Sequence, residues 1–392
     1  MAESWILSAV RTPIGKFLGA LADLTAPELG AIVVREALRR CGADPAEVDE
    51  VILGCVVQAG LGQNPARQAA LKSGLPDTIA AVTVNKVCGS GLKAVMLADQ
   101  AIRCGDARLI VAGGMESMSR APFLLVGARN GWKYGDQKAV DALIHDGLWC
   151  AFEHCHMGES AEYIAERCDV SRDDMDRFAA QSHHRAAAAW DRGLFNAEVV
   201  PVTVGSGAKA RTVNRDEGIR PETSVEVLSK LKPAFRSDGR VTAGNASMMS
   251  DGASAVVVAD GATARRLKAE PLARIVASTT AGVAPRDIFL APVLAIRKVL
   301  DKAGLKLDDI DLFEINEAFA AQMRACLKEL NLDEERVNVH GGAIALGHPI
   351  GASGARTLTT LLYAMQTRNV RRGLVSLCLG GGNAVAMIVE RG

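Results

Sequence analysis

Val84-Asn85-Lys86-Val87-Cys88-Gly89-Ser90-Gly91-Leu92-Lys93 is an apolar, strand-like run that meets a cysteine, two glycines and the start of an amphipathic helix. From Leu92 the apolar positions recur at Val95, Met96, Ala98 and Ile102, a helical spacing, so Cys88 is expected in the turn at the helix N-terminus. Unpaired N–H groups and the positive end of the helix dipole favour a thiolate there and lower its pKa. Gly89 and Gly91 remove side chains where a substrate would approach. Taken alone, the stretch also fits a small cysteine of the core.

On either side of this stretch, strands and helices alternate. A helix is expected over 27–40, with Pro27 in its first turn and Gly42 as its stop. A buried strand follows over 48–57, then a short helix capped by Asn64-Pro65, a strand reaching Asn85, the Cys88 helix and a strand over 109–112. Such alternation implies a parallel sheet covered on both faces, with ligands beyond the carboxyl ends of its strands, where Cys88 lies.

Much of the pattern occurs twice. Ala26-Pro27 through Gly42, followed by an acidic turn and the strand Val51-Ile52-Leu53, matches Ala291-Pro292 through Gly304, followed by Asp309-Ile310-Asp311 and Leu312-Phe313-Glu314-Ile315. The strand before Cys88 and the helix after it are matched by a strand at Val337 and Val339, a glycine-rich turn and a helix from about Ala352. Each helix leads to a strand and a Gly-Gly, at Gly113-Gly114 and Gly380-Gly381. The expected organisation is a first half over 1–115, an inserted loop or lid domain over 116–248 and a second half over 249–392. Two such halves pack with pseudo-two-fold symmetry, and a cleft between them collects the loops of both.

The composition excludes several classes of function. Lys+Arg and Asp+Glu both number 45, so no overall field draws the chain to nucleic acid or an anionic membrane. With 49% hydrophobic and 4% aromatic residues and 38 glycines, it suits an α/β protein whose layers pack closely. The nine cysteines follow no framework spacing, and a reducing cytosol is the expected home. No stretch is apolar enough to span a bilayer, and no targeting segment is apparent.

Three further positions bring chemistry to the cleft. The run Gly341 to Gly354 is a backbone-shaped loop presenting one imidazole, His348, and the repeat places it opposite Cys88, so that a Cys–His pair is reasonable. A histidine before Pro349 is equally compatible with a structural role. Cys378 ends a strand before Gly380-Gly381-Gly382, a second thiol beside bare backbone N–H groups. Asn316 follows the strand ending at Ile315 and is either a helix cap or an amide holding a water or a substrate oxygen. Cys150, His154, Cys155 and His156 are a weaker candidate for zinc, because their spacing matches no common pattern.

Seven motifs in order then resemble the thiolases, in the acetyl-CoA acetyltransferase branch, end to end: Asn85-x-x-Cys88-Gly-Ser-Gly, Gly113 to Ser119, His156-Met157-Gly158, Thr242 to Ser247, Ile315 to Ala320, Gly341 to Gly354, and Ser376-Leu-Cys378-x-Gly-Gly-Gly382. The resemblance implies a five-layer αβαβα fold of two duplicated α/β halves with an inserted loop domain. It also implies a homotetramer, acetyl-CoA and acetoacetyl-CoA as substrates, and neither metal nor cofactor. Carried over by position, Cys88 is the acyl-accepting nucleophile, His348 takes its proton, and Cys378 handles the α-proton of the second acetyl-CoA. One oxyanion site is assigned to His348 with a water held by Asn316, the other to the N–H groups of Cys88 and Gly380. The coenzyme is expected along His156, Met157, Arg220, Ser247, Ala318 and Phe319. Met248-Met249-Ser250, Asn383-Ala384 and His340 depart from the usual pattern near the pocket and bear on chain length, but His156-Met157-Gly158 resembles the short-chain biosynthetic branch and favours acetyl-CoA and acetoacetyl-CoA, with a broader degradative 3-ketoacyl-CoA thiolase as the alternative. A β-ketoacyl synthase, which has a second His where this chain has Cys378, and a catalytically idle CoA-binding relative are the other readings.

Overall fold

The computed structural model describes residues 3–392. Its main strands are β1 (Ser4–Arg11), β2 (Glu50–Gly54), β3 (Ala80–Val84), β4 (Leu109–Ser117), β5 (Ser250–Asp260), β6 (Ala273–Gly282), β7 (Leu312–Ile315), β8 (Arg372–Leu379) and β9 (Asn383–Glu390). They follow one another in space as β7-β8-β9-β6-β1-β5-β4-β2-β3. Only β2–β3, β2–β4 and β7–β8 are parallel, so the expected parallel sheet is in fact mixed. The reason lies in β5 and β9, which return antiparallel beside β4 and β8. The duplication is plain in this order. Outward from the central pair, one side reads β1, β5, β4, β2, β3 and the other β6, β9, β8, β7. The counterpart of β3 at Val337 is reduced to one parallel bridge with Phe313, and Val339 belongs to no strand. By pairing, β5 joins the first half's sheet although it opens the 249–392 segment.

β1 and β6 touch only at Trp5–Arg274 and Ile6–Ala273, and there the path divides into two sheets with helices between and outside them. Helix Ala26–Cys41 packs on the outer face of the first sheet, with Pro65–Lys72 beside it. Helix Ala291–Ala303 covers the second sheet in the same way. Helices Ser90–Cys104 and Ser353–Arg368 lie against one another in the central layer, touching both sheets. These are the five layers αβαβα. The punctuation is local: Thr25 and Glu28 close a capping box, and Gly42 and Gly304 end their helices at φ 67 and 66.

The central helices approach at two glycines. A Cβ on Gly91 would stand 2.7 Å from the Ala355 nitrogen, and one on Gly354 would overlap the Leu92 nitrogen. The insertion is anchored on both halves. Its helices Met157–Arg167 and Arg172–Asp191 pack on helix Ala320–Leu330 of the second half. Arg11 of β1, fully buried, gives Nε to Glu198 at 2.5 Å and its two terminal nitrogens to Asp216 at 2.7 and 3.0 Å. Among the described residues, no helix is long and apolar enough to cross a membrane.

Gly354→Ala should therefore destabilise the protein by about 1–3 kcal/mol, because a methyl forced between backbones outweighs alanine's better helix propensity. The guanidinium unfolding midpoint checks this, and an unchanged or higher midpoint would count against the close helix contact.

Candidate active site

β3 ends at Val84, and the chain turns sharply into helix Ser90–Cys104. Val87 carries the turn at φ 46, a left-handed conformation that costs a β-branched residue roughly 1–3 kcal/mol. The conformation is held from both sides. Asn85 Oδ1 accepts the Val87 N–H at 2.9 Å, while Ser90 Oγ accepts from Lys86 N at 2.8 Å and donates to Val87 O at 2.6 Å. This strained turn presents the Cys88 sulfur at the helix start, within reach of the N–H groups of Cys88 itself and Gly380.

The sequence leads one to expect a stabilised thiolate here, and the structure reverses that. Burial against apolar walls pushes the Cys88 thiol up to about 12, the two backbone N–H groups offsetting part of the rise and the buried Glu116 adding to it. Desolvation of a charged sulfur outweighs the helix end. Cys378, at the end of β8, is raised well above the ordinary thiol value, first by burial and then by the neighbouring Cys88. At rest both thiols are neutral.

His348 stands in the loop between the short helix Ala343–Leu346 and helix Ser353–Arg368. Its backbone N–H is received by Met248 O at 3.0 Å and Ser250 Oγ at 3.2 Å. Ser353 Oγ lies 2.6 Å from His348 Nδ1 and 2.8 Å from Pro349 O, and holds the Nδ1 edge of the ring. Burial, aided by the Arg356 charge, lowers the His348 pKa to about 3 and keeps the ring neutral. Asn316, behind the ring, places Nδ2 3.5 Å from both ring nitrogens.

Two buried carboxyl groups hold the loop. Glu116 accepts from Val56 N, Val57 N and Gly351 N at 3.0, 3.2 and 2.9 Å, and burial raises it to about 7. Glu317 accepts from Ser182 Oγ, Asn338 Nδ2 and Ile344 N at 2.7, 2.9 and 3.1 Å.

A cavity of about 420 Å³ is lined by Cys88, His348, Cys378 and Gly380 and, farther out, by His156, Met157, Arg220, Ser247, Ala318 and Phe319. Of the catalytic and coenzyme-contacting residues expected from the sequence, Asn316 alone lies behind the wall. His156 caps helix Met157–Arg167 by accepting the Gly158 N–H at 3.1 Å and stacks on Phe235 with centroids 4.8 Å apart. Phe235, Phe319 and Phe289 continue edge to face along the channel. Arg220 is exposed at the rim, and its N–H meets Nδ1 of the buried His183 at 3.2 Å. Met248 and Met249 line the cavity, whereas His340 packs edge-on against Phe195 away from it.

Sequence reasoning missed Phe235, Phe289, His183, Leu148 and Met118 on the wall and the supporting roles of Ser353, Glu116 and Arg356 behind it. The periodicity of helix Ser353–Arg368 carried one usable signal, an arginine within an otherwise apolar and small-residue helix. For zinc, Cys150 and Cys155 face each other in a two-residue hairpin, but His156 Nδ1 is taken by the Gly158 N–H. Among the described residues no three His, Cys, Asp or Glu side chains gather as metal ligands.

A neutral thiol flanked by amide donors, a neutral imidazole with an open lone pair, and a second buried thiol around one apolar channel suit acyl transfer between thiols. The family models agree. "Thiolase, N-terminal domain" matches residues 4–262 and "Thiolase, C-terminal domain" residues 269–391. The chain is 53% identical to an acetyl-CoA acetyltransferase of Pseudomonas aeruginosa and 53% to one of Escherichia coli, each over 100% of both chains. The crystal structure of the Bacillus anthracis acetyl-CoA acetyltransferase superposes with a TM-score of 0.98 at 43% identity, over 100% of this chain and 99% of that one. This chain belongs to the thiolase family, and it is an acyltransferase.

Alkylation of Cys88, followed by peptide mapping, should still be accelerating with pH at 9.0, the value of an ordinary thiol. Only the thiolate reacts, and its fraction grows about tenfold per pH unit below the pKa. A plateau near neutral pH would restore the activated thiolate that the helix end by itself suggests.

Proposed function

We propose that this protein is an acetyl-CoA C-acetyltransferase, condensing two acetyl-CoA to acetoacetyl-CoA and CoA and running the reverse thiolysis. The observation that carries the reading is the convergence of Cys88, His348 and Cys378 on one channel. Cys88 gives its proton to His348 Nε2 as its sulfur attacks the thioester carbonyl. The carbonyl oxygen is received by the N–H groups of Cys88 and Gly380. CoA departs as the thiol with the proton of Cys378, leaving acetyl-Cys88, a Cys378 thiolate and a protonated His348.

In the second half-reaction the methyl of another acetyl-CoA loses a proton through Cys378, and the resulting carbanion attacks the acetyl-Cys88 carbonyl. Cys378 keeps the α-proton, and Cys88 is released as the thiol with the proton that His348 returns. A deprotonated Cys378, strongly basic because it is buried, suits a weakly acidic carbon. The enolate oxygen would be held by His348 and by a water bound to Asn316. The apolar channel past Met157, Ala318 and Phe319 suits a pantetheine arm, with Arg220 and Ser247 at the nucleotide end.

The same reading extends to assembly and location. The sheet ends in β3, whose edge is partly exposed and unpaired, and Phe123, Val126 and Tyr134 stand out at 67, 68 and 98% exposure. Both features support a homotetramer built as a dimer of dimers. Nine free cysteines fit a reducing cytoplasm.

Cys378→Ser should still be acetylated at Cys88 by acetyl-CoA, detectable by mass spectrometry, while condensation falls at least about 10²-fold. Retained condensation would remove Cys378 from the α-proton step. Thiolysis of 3-ketoacyl-CoA substrates should be fastest with acetoacetyl-CoA and decline as the chain lengthens. A flat profile would favour the broader degradative thiolase.

A further inference from the structure

Arg356 lies wholly inside the protein on helix Ser353–Arg368, behind Asn316 as seen from the channel. We propose that Arg356 is a positioning residue that acts through Asn316, setting which end of the amide faces His348. The inference rests on the reading of Asn316 as an oxyanion-site amide.

An arginine can only donate, so the atom it meets must be an acceptor. Arg356 Nη2 is 3.4 Å from Asn316 Oδ1. The amide is planar, and with Oδ1 turned to the guanidinium, Nδ2 is turned to the imidazole, 3.5 Å from each ring nitrogen. Flipped, the amide would set Nδ2 against Arg356 Nη2, opposing two donors, and would withdraw the N–H that an oxyanion-bound water needs. Among the described residues the Asn316 side chain has no other hydrogen-bond partner to fix its orientation.

The setting of Arg356 is not explained by stability. Its counter-ion is Glu314, 4.0 Å away, and both side chains are 2% exposed. Glu314 Oε1 and Oε2 and Arg356 Nε and Nη1 are, among the described residues, the buried side-chain atoms that lack any hydrogen-bond partner. A buried pair so poorly satisfied contributes less than apolar side chains of the same volume would. What the guanidinium does have is one contact with the amide next to His348, and a positive charge on the side of the site where negative charge develops.

The test is a double-mutant cycle with steady-state condensation kinetics. Arg356→Met should lower kcat about 10- to 100-fold with KM for acetyl-CoA unchanged. Arg356→Met combined with Asn316→Ala should be no slower than Asn316→Ala alone, because the arginine has nothing left to orient. Glu314→Gln/Arg356→Met, which leaves no buried charge, should show the same kcat loss and guards against misfolding of the single variant. Losses that multiply in the cycle, an unchanged kcat in either folded arginine variant, or failure of both to fold would overturn the proposal and make Arg356 structural. Full activity in Asn316→Ala would mark a different failure, that of the oxyanion reading on which the proposal stands.

Discussion

The two halves meet through bare backbone. The Gly351 carbonyl lies where a side chain on Gly54 or Gly114 would have to be, and a Cβ on Gly351 would stand 2.5 Å from Met115 O. With no side chains in the way, the Gly351 N–H reaches the Glu116 carboxyl at 2.9 Å, and the His348 loop is drawn down onto the end of β4. A little deeper, Gly91 and Gly354 let the two central helices touch. One methyl at any of these positions would lift the second half away from the first. The site exists because a nucleophile turn in one half and an imidazole loop in the other share this contact.

Burial that close has an electrostatic consequence. The rise of the Cys88 thiol to about 12 is set against a free thiolate, although the residue is only partly buried. Ionisation at rest is therefore suppressed, and the charge is expected to appear only as a substrate carbonyl arrives to share it with the N–H groups of Cys88 and Gly380. The same desolvation holds His348 neutral with its lone pair open, ready to receive a proton. An apolar channel of about 420 Å³ beside Cys88 would, in the proposed reaction, disfavour hydrolysis of an acyl group on that sulfur. Low polarity thus has two effects: it raises the cost of charge and protects the intermediate.

Strain and orphaned charge collect around this point. Val87 is held at φ 46 by Asn85 and Ser90 directly before the cysteine, and Glu314 and Arg356 lie poorly satisfied beneath Asn316. Elsewhere the core obeys ordinary rules, as the fork from Arg11 to Asp216 and Glu198 illustrates. A strained turn and an unsatisfied buried pair beside one cavity are what a site assembled at the expense of local stability looks like.

The doubling of the chain, the helix starts and stops, the family and the cavity residues Cys88, His348, Cys378, His156 and Phe319 were legible in the residues, because each depends on a local pattern or a short motif. Three things were not. The sheet is mixed because β5 and β9 return antiparallel beside β4 and β8, a long-range pairing that alternating strands and helices do not encode. The strand expected at Val337 and Val339 shrank to one bridge, since pairing rather than β-propensity decides an edge. The Cys88 pKa moved up instead of down, because the helix end is a local effect and desolvation is set by whatever the rest of the fold packs around it. By itself, then, the order of residues determined which groups could react. Only the tertiary structure decided their protonation and the partners behind them, Ser353, Glu116 and Arg356, because those depend on distances between segments far apart in the chain.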